Sequence, residues 1–203
     1  MRHRSFTLLM GMAIGAVSYA QSAGLGIHGG VLMSTVKAIH INTRPISGGT
    51  LGIHAPIGIG TRLELQPEFG LTTLGTRFVE TDGDQYTDRC LYLQAPITLK
   101  VFLSNTFHFA GGYQFGKLVA AQRTALSGST DVKEKYEPMD MGFVLGTGFD
   151  FASGVDLDLR FYSAMTPNLR NDDALFPKNR SLQLTIGYRF VQFKRKGHFR
   201  RRG

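Results

Sequence analysis

The chain has 203 residues, with 23 Lys and Arg against 15 Asp and Glu, which gives a formal net charge of +8. The excess positive charge lies at the two ends, in Arg2 and Arg4 and in six basic residues after position 190. Residues 21–190 are therefore neutral as a whole, which removes the usual electrostatic argument for a nucleic-acid-binding domain. A single cysteine, Cys90, excludes an intramolecular disulfide framework, and its polar surroundings predict an unpaired loop thiol.

The first twenty residues have the pattern of an export signal. Arg2 and Arg4 precede an apolar run over residues 6–17, and Ser18 and Ala20 are the small residues that a signal peptidase reads. A membrane-spanning helix needs about 20 apolar residues, so the run is too short for one. We predict cleavage after Ala20 and a single mature domain over residues 21–190.

The last thirteen residues, 191–203, form a basic tail without any acidic residue. Its charge leaves too little apolar surface for independent folding, so a disordered segment is expected. The tail could contact an anionic surface, such as lipid phosphate or cell-wall polymer, or an acidic periplasmic protein. Its basic residues are Lys194, Arg195, Lys196, Arg200, Arg201 and Arg202.

The mature chain alternates between apolar and polar residues with a period of two, which is typical of β-strands. The alternation is clearest over residues 63–71, 91–101, 155–162 and 181–190. Weaker, glycine-rich alternation covers residues 25–35, 48–57, 107–119 and 141–151. The sequence therefore predicts eight antiparallel strands.

The connections between these strands predict an up-and-down barrel. Short turns follow the second, fourth and sixth strands, near residues 58–61, 104–106 and 152–154. Long polar connections follow the other strands, for example residues 73–89 and 120–140. Short periplasmic turns opposite long extracellular loops are typical of outer-membrane barrels.

The two faces of the strands differ in the size of their side chains. One face is rich in Leu and Phe, whereas the other combines glycine with charged residues. An eight-stranded interior is only just wide enough for side chains, so glycines and paired charges fit it better than aromatic rings do. The apolar face is therefore expected to contact lipid, with Phe107, Phe151 and Phe190 in an aromatic girdle at the short-turn side. The predicted polar network of the lumen comprises Glu64, Glu68, Lys100, Asp156, Asp158, Arg160 and Arg189.

A soluble periplasmic barrel that binds a ligand inside remains an alternative, because both arrangements produce the same alternation.

Five short stretches in the mature chain form a recognisable series. They are residues 25–30 (LGIHGG), 65–68 (LQPE), 91–100 (LYLQAPITLK), 110–116 (AGGYQFG) and 186–190 (IGYRF). In their order and spacing they resemble the PorT-like family of outer-membrane β-barrel proteins. The resemblance implies an exported eight-stranded barrel without catalytic residues, and ties some members to protein secretion or surface assembly. The chain differs from that pattern in continuing beyond Phe190, the aromatic residue of the last strand.

Other motifs point to function only weakly. Residues 24–29 match a dinucleotide-binding glycine pattern, but they enter a strand and not a helix. His28, His54 and His108 share the lumen face, where hydrogen-bonded histidines are expected more than a metal site. The fragment at residues 82–84 is expected to be a polar turn and not a calcium site.

The predicted function is that of a non-enzymatic outer-membrane barrel that acts through its surface loops. Ser163 and Asp172 are the candidates for a lipid-editing site, but no histidine lies beside them in the sequence, so no catalytic, metal or cofactor-binding residue is predicted. The alternatives are a component of a secretion or surface-assembly apparatus that docks a periplasmic protein through the basic tail, and a small-solute pore. Eight strands normally leave no open channel, which disfavours the pore. Outer-membrane lipid is the expected partner.

Overall fold

The computed structural model describes residues 23–37, 42–79, 85–126, 128–170 and 177–191. The predicted export signal and the basic tail lie outside the described residues and stay predictions. Within the described ranges, no helix is long and apolar enough to cross a membrane. One 3-10 turn occurs there, at Lys133–Lys135.

Ten strands account for most of the described chain. They are β1 (Leu25–Lys37), β2 (Asn42–His54), β3 (Ile57–Ile59), β4 (Leu63–Val79), β5 (Gln85–Phe102), β6 (Phe107–Ala125), β7 (Gly128–Asp131), β8 (Met139–Asp150), β9 (Val155–Ala164) and β10 (Lys178–Val191).

The strands form one closed antiparallel ring. The order of neighbours is β2-β1-β10-β9-β8-β6-β5-β4, and pairing of β2 with β4 closes it. The short strands β3 and β7 extend the edges of β4 and β6 and do not add to the ring. The predicted eight-stranded up-and-down barrel is confirmed.

In the middle of the barrel the apolar side chains face outward and the charged side chains face inward, which is the opposite of a soluble protein. Val31, Leu51 and Leu145 point outward with 66%, 67% and 62% of their surface exposed. At comparable positions along the strands, Glu68, Gln183 and Arg160 are buried inside. Apolar groups exposed around the whole ring and charged groups buried within it are the arrangement of a barrel surrounded by lipid.

Phenylalanine side chains line the short-turn edge of this apolar surface. The Phe107 and Phe149 rings are 5.2 Å apart, and Phe149 stacks on Phe151 at 6.4 Å. Phe190 is exposed on β10 at the same edge. The three predicted girdle residues therefore lie where outer-membrane barrels carry aromatic side chains.

The strands extend farther on the loop side than the sequence predicts. The stretch at 73–89, predicted to be a long loop, is mostly strand, because β4 continues to Val79 and β5 begins at Gln85. Likewise β1 continues to Lys37 and β2 begins at Asn42. In these extensions apolar side chains such as Leu74 and Phe78 point inward, and some polar ones, such as Thr76, are buried with them. The prediction of four long loops on this side was therefore wrong for two of them.

Neighbouring glycines on β6 test the packing of the barrel wall. A Cβ on Gly112 would lie 2.0 Å from the backbone oxygen of Ile97, whereas the nearest atom to a Cβ on Gly111 is Leu145 Cδ2 at 3.6 Å. We expect Gly112→Ala to lower the free energy of unfolding by about 1–3 kcal/mol or more, because the neighbouring strand must move away. Gly111→Ala is the matched control and should stay close to the wild type. Urea unfolding of protein refolded into lipid vesicles, followed by far-ultraviolet circular dichroism, compares the two; equal losses would contradict this packing.

Candidate functional site

Arg160 on β9 is the central cation of the lumen. Its Nη1 lies 2.6 Å from Glu68 Oε2, and its Nη2 lies 3.1 Å from Asp158 Oδ2. Gln66 Nε2 donates to the other Glu68 oxygen at 2.7 Å. All four side chains are buried, so Arg160 neutralises two carboxylates that would otherwise be costly to bury.

A second group of ion pairs lies nearer the short turns. Lys100 Nζ is 3.3 Å from Asp150 Oδ1 and 3.7 Å from Asp158 Oδ2. Arg189 contacts Asp150 through Nη2 and lies 3.7 Å from both Glu64 and Asp156. The structure thus connects the seven side chains singled out in the sequence. We call these seven side chains and Asp150 the lumen network.

Sequence reasoning missed Asp150, although a signal for it was present. Asp150 lies between Phe149 and Phe151, which share the outward parity of β8, so its own parity places it inside.

The three described histidines join the lumen network. His28 and His54 face each other, with 3.4 Å between their Nδ1 atoms. His28 Nε2 is 3.8 Å from Glu68, His54 Nε2 is 3.7 Å from Asp156, and His108 Nε2 is 3.0 Å from Asp158. Among the described residues, no group of three or more His, Cys, Asp or Glu side chains could hold a metal ion.

Little free space is left in the middle of the lumen. The cavity there has a volume of about 20 Å³. A water molecule needs roughly 10–15 Å³ by the same measure, so the cavity has room for about one. Its lining includes His28, Glu68, Gln94, Gln114, Arg160 and Thr185.

An apolar cluster fills the lumen on the loop side. Cys90 belongs to it and is only 3% exposed on β5, so the prediction of a loop thiol was wrong. The cluster forms where the inward-facing residues change from polar to apolar along the strands. We call it the mouth cap; its members are Leu32, Leu74, Cys90, Tyr92, Leu118, Ala121, Val132, Tyr136, Val144, Tyr162 and Ala164.

A buried carboxylate, Asp88, anchors the mouth cap to the barrel wall. Arg123 donates to it through Nε and Nη2 at 2.8 and 2.7 Å, and Tyr136 donates its hydroxyl at 2.6 Å. The Arg123 guanidinium also lies 3.9 Å from the centre of the Tyr86 ring. Burial raises the pKa of the Tyr136 phenol, which therefore stays protonated and remains a donor to Asp88.

The two longest loop-side connections are hydrogen-bonded to each other. Glu137 N donates to Asn168 O at 2.9 Å, and Arg170 N donates to Lys135 O at 2.9 Å. Tyr136 and Leu169 form an isolated β-bridge between the same segments. The outer surface above the mouth cap is therefore preorganised.

The candidates for a lipid-editing site are not assembled in the described residues. Ser163 has the outward parity of β9, with Arg180 and Phe143 opposite it on the neighbouring strands. Asp172 and the fragment at 82–84 lie outside the described residues. The described histidines, by contrast, are all on the lumen side of the wall.

The closed ring, the exposed apolar surface and the buried charges together define an integral outer-membrane β-barrel protein. The family model described as "Outer membrane protein beta-barrel domain" matches residues 19–170, and the chain belongs to this family. The protein is therefore located in the outer membrane, where its apolar face contacts lipid.

Solved outer-membrane proteins have a similar fold. Neisserial surface protein A superposes with a TM-score of 0.52 at 11% identity, covering 83% of this chain and 99% of its own. The attachment invasion locus protein Ail of Yersinia pestis has a TM-score of 0.47 at 16% identity, covering 82% and 99%. OprG of Pseudomonas aeruginosa has a TM-score of 0.46 at 12% identity, covering 83% and 97%. No curated protein matches the chain.

Proposed function

We propose that this protein is a non-enzymatic, non-conducting outer-membrane barrel that acts as a structural or interaction protein through its outer mouth. The observation that carries the proposal is the filled lumen. The lumen network occupies the short-turn half and the middle, the mouth cap occupies the loop side, and the cavity between them measures about 20 Å³. A path for a solute through the barrel would require both the lumen network and the mouth cap to move.

The described part of the outer mouth supports an interaction role because hydrogen bonds hold it in place without a partner. Asp88 holds Tyr136 and Arg123, and hydrogen bonds join the two longest connections. Lys133, Glu134 and Lys135 are exposed above this support. A surface that is already rigid loses less conformational entropy on binding than a flexible loop does.

Absence of catalysis is supported by the position of the polar groups. The buried carboxylates and histidines form ion pairs inside the barrel, away from both lipid and loops. Ser163, on the lipid-facing side, has Phe143 and Arg180 as its cross-strand neighbours. Neither arrangement places a described histidine beside an accessible nucleophile, as hydrolysis by a serine requires.

Reconstitution into lipid vesicles tests the proposal. We expect vesicles that carry the protein to be as impermeable to ions and small sugars as empty vesicles, because the lumen is filled. Unheated gel electrophoresis of the same vesicles confirms insertion, since a folded barrel migrates differently from the heated chain. We also expect no release of fatty acid from the vesicle lipids, and no difference between the wild type and Ser163→Ala.

Stepwise single-channel currents would overturn the non-conducting part of the proposal. Lipid hydrolysis that disappears in Ser163→Ala would overturn the non-enzymatic part. The two results are independent of each other.

We further infer, from the motifs at 65–68 and 91–100 among others, that the protein is a PorT-like member of the outer-membrane barrels. The inference includes cleavage of residues 1–20 and a barrel domain over residues 21–190. Under it, the basic tail at 191–203 faces the periplasm, since β10 ends at the short-turn side. A component of a secretion or surface-assembly apparatus would use this tail to dock an acidic periplasmic protein.

A further inference from the structure

Charges on the barrel wall are segregated by sign. Every carboxylate of the eight ring strands is buried inside: Glu64, Glu68, Asp88, Asp140, Asp150, Asp156 and Asp158. Every charged residue with outward parity on those strands is basic: Lys37, Arg44, Arg77, Arg89, Lys117, Lys178 and Arg180. The outer face of the described wall is thus purely cationic, although residues 21–190 are neutral as a whole.

Six of these cations form a continuous band, which we call the basic collar. It crosses five consecutive strands of the ring, β10, β1, β2, β4 and β5. Its members are Lys178, Arg180, Lys37, Arg44, Arg77 and Arg89.

The basic collar lies at the loop-side edge of the lipid-facing surface. Arg180 is two residues from Leu182, which is an exposed apolar residue of β10, and Arg89 is two residues from Leu91 on β5. Two residues of a strand rise roughly 7 Å. Arg180 and Arg89 are therefore at the height where lipid headgroups replace acyl chains. The other four collar residues lie about one more step outward, since Lys178 is two residues beyond Arg180 and Arg77 pairs with Thr87, two residues beyond Arg89.

Pairs of like charges face each other directly within the collar. Lys37 is the cross-strand partner of Lys178, and Arg44 is the partner of Arg77. Like charges opposite each other destabilise a sheet. An anion placed between them would convert this repulsion into attraction.

Within the described residues, no collar side chain has a carboxylate within 4.0 Å to relieve this repulsion. Two of the arginines donate to neutral groups instead: Arg77 Nε to Thr87 Oγ1 at 3.3 Å and Arg89 Nη1 to Ser47 O at 3.5 Å. Among the residues that the structure describes, no carboxylate accepts from their remaining N–H groups.

We propose that the basic collar binds the phosphate groups of anionic lipids in the outer leaflet. Guanidinium groups present a fork of donors that matches phosphate oxygens, which suits Arg44, Arg77 and Arg89. A lipid is held twice, since its acyl chains pack on exposed residues such as Leu51 and Leu71 while its phosphate reaches the collar.

Native mass spectrometry of the full chain in neutral detergent micelles tests the proposal, with phosphatidic acid as the probe and phosphatidylcholine of equal chain length as the reference. The variant Arg44→Gln/Arg77→Gln/Arg89→Gln removes half of the collar but keeps polar side chains. Each basic residue near an anionic headgroup contributes a factor of about five, so we expect phosphatidic acid to bind about 100-fold more weakly. Binding of phosphatidylcholine should not change.

The matched control is Lys117→Gln/Lys133→Gln/Lys135→Gln, which removes the same amount of charge outside the collar and should bind phosphatidic acid like the wild type. Should the arginine variant fail to fold, as judged by heat-modifiable migration, Lys37→Gln/Lys178→Gln tests two of the three remaining collar residues, with an expected loss of roughly 30-fold. Equal losses in the collar and control variants, or no loss in either, would overturn the proposal. Displacement of the lipid by an equal concentration of inorganic phosphate would also overturn it, because a free anion would then be the occupant.

Discussion

Arg160→Ala is expected to lower the free energy of unfolding of the barrel by about 3–5 kcal/mol. Arg160 contacts Glu68 at 2.6 Å and Asp158 at 3.1 Å, and all three side chains are buried. Alanine would leave the Glu68 carboxylate with Gln66 and His28 as its neighbours and without its arginine partner. Breaking a buried pair by removing one partner costs far more than the pair itself contributes, because the remaining charge stays desolvated.

Urea unfolding in lipid vesicles, read from the loss of the heat-modifiable band, measures this effect. The double variant Arg160→Met/Glu68→Gln should recover part of the lost stability, because it removes both members of the closest ion pair. Lys135→Ala, a change at an exposed position above the mouth, should unfold like the wild type. An Arg160→Ala variant as stable as Lys135→Ala would show that the lumen is hydrated enough to solvate Glu68.

Leu145→Arg should destabilise the inserted barrel by about 2–4 kcal/mol, because an arginine near the middle of the bilayer must leave water. Leu145 lies at the centre of β8, points outward and is 62% exposed. Met139→Arg is the matched control: it lies on the same strand and the same face, but at the loop-side end. Near the interface the same substitution is expected to cost at most about 1 kcal/mol.

The difference between these two variants is the informative quantity, measured again by urea unfolding in vesicles. A position-dependent cost locates the hydrocarbon layer along β8. Equal and small losses in the free energy of unfolding for the two variants would mean that the face carrying Leu145 meets water. The barrel would then be soluble.

The eight strands and their two faces could be predicted from the sequence because alternation is a local property. Residues 181–190 illustrate this: Leu182, Leu184 and Ile186 are exposed, whereas Gln183 and Thr185 are buried. With the apolar face toward lipid, the parity of the charged residues in the middle of the strands places them inside. The side chains of Glu68 and Arg160 come from β4 and β9, yet parity alone put both in the lumen.

The loop-side ends of the strands could not be predicted in the same way, because there the apolar residues face inward and no longer outward. Beyond the acyl chains the outer face of the barrel meets lipid headgroups and water, so Leu74, Phe78 and Cys90 turn inward while Arg77 and Arg89 point outward. A pattern that changes parity within one strand appears as the end of that strand. For this reason the outer parts of β4 and β5 were mistaken for a loop.

By itself, the sequence determined that the chain forms an eight-stranded barrel with lipid outside and charges inside, because hydrophobicity and strand period act within a few residues. Only the tertiary structure decided which charges meet, how the mouth is closed and where cations accumulate. Arg160 and Glu68 are 92 positions apart, and Tyr136 and Asp88 are 48 apart. Lys37 meets Lys178 only because the last strand pairs with the first. Such contacts depend on ring closure and register, which no local pattern in the chain records.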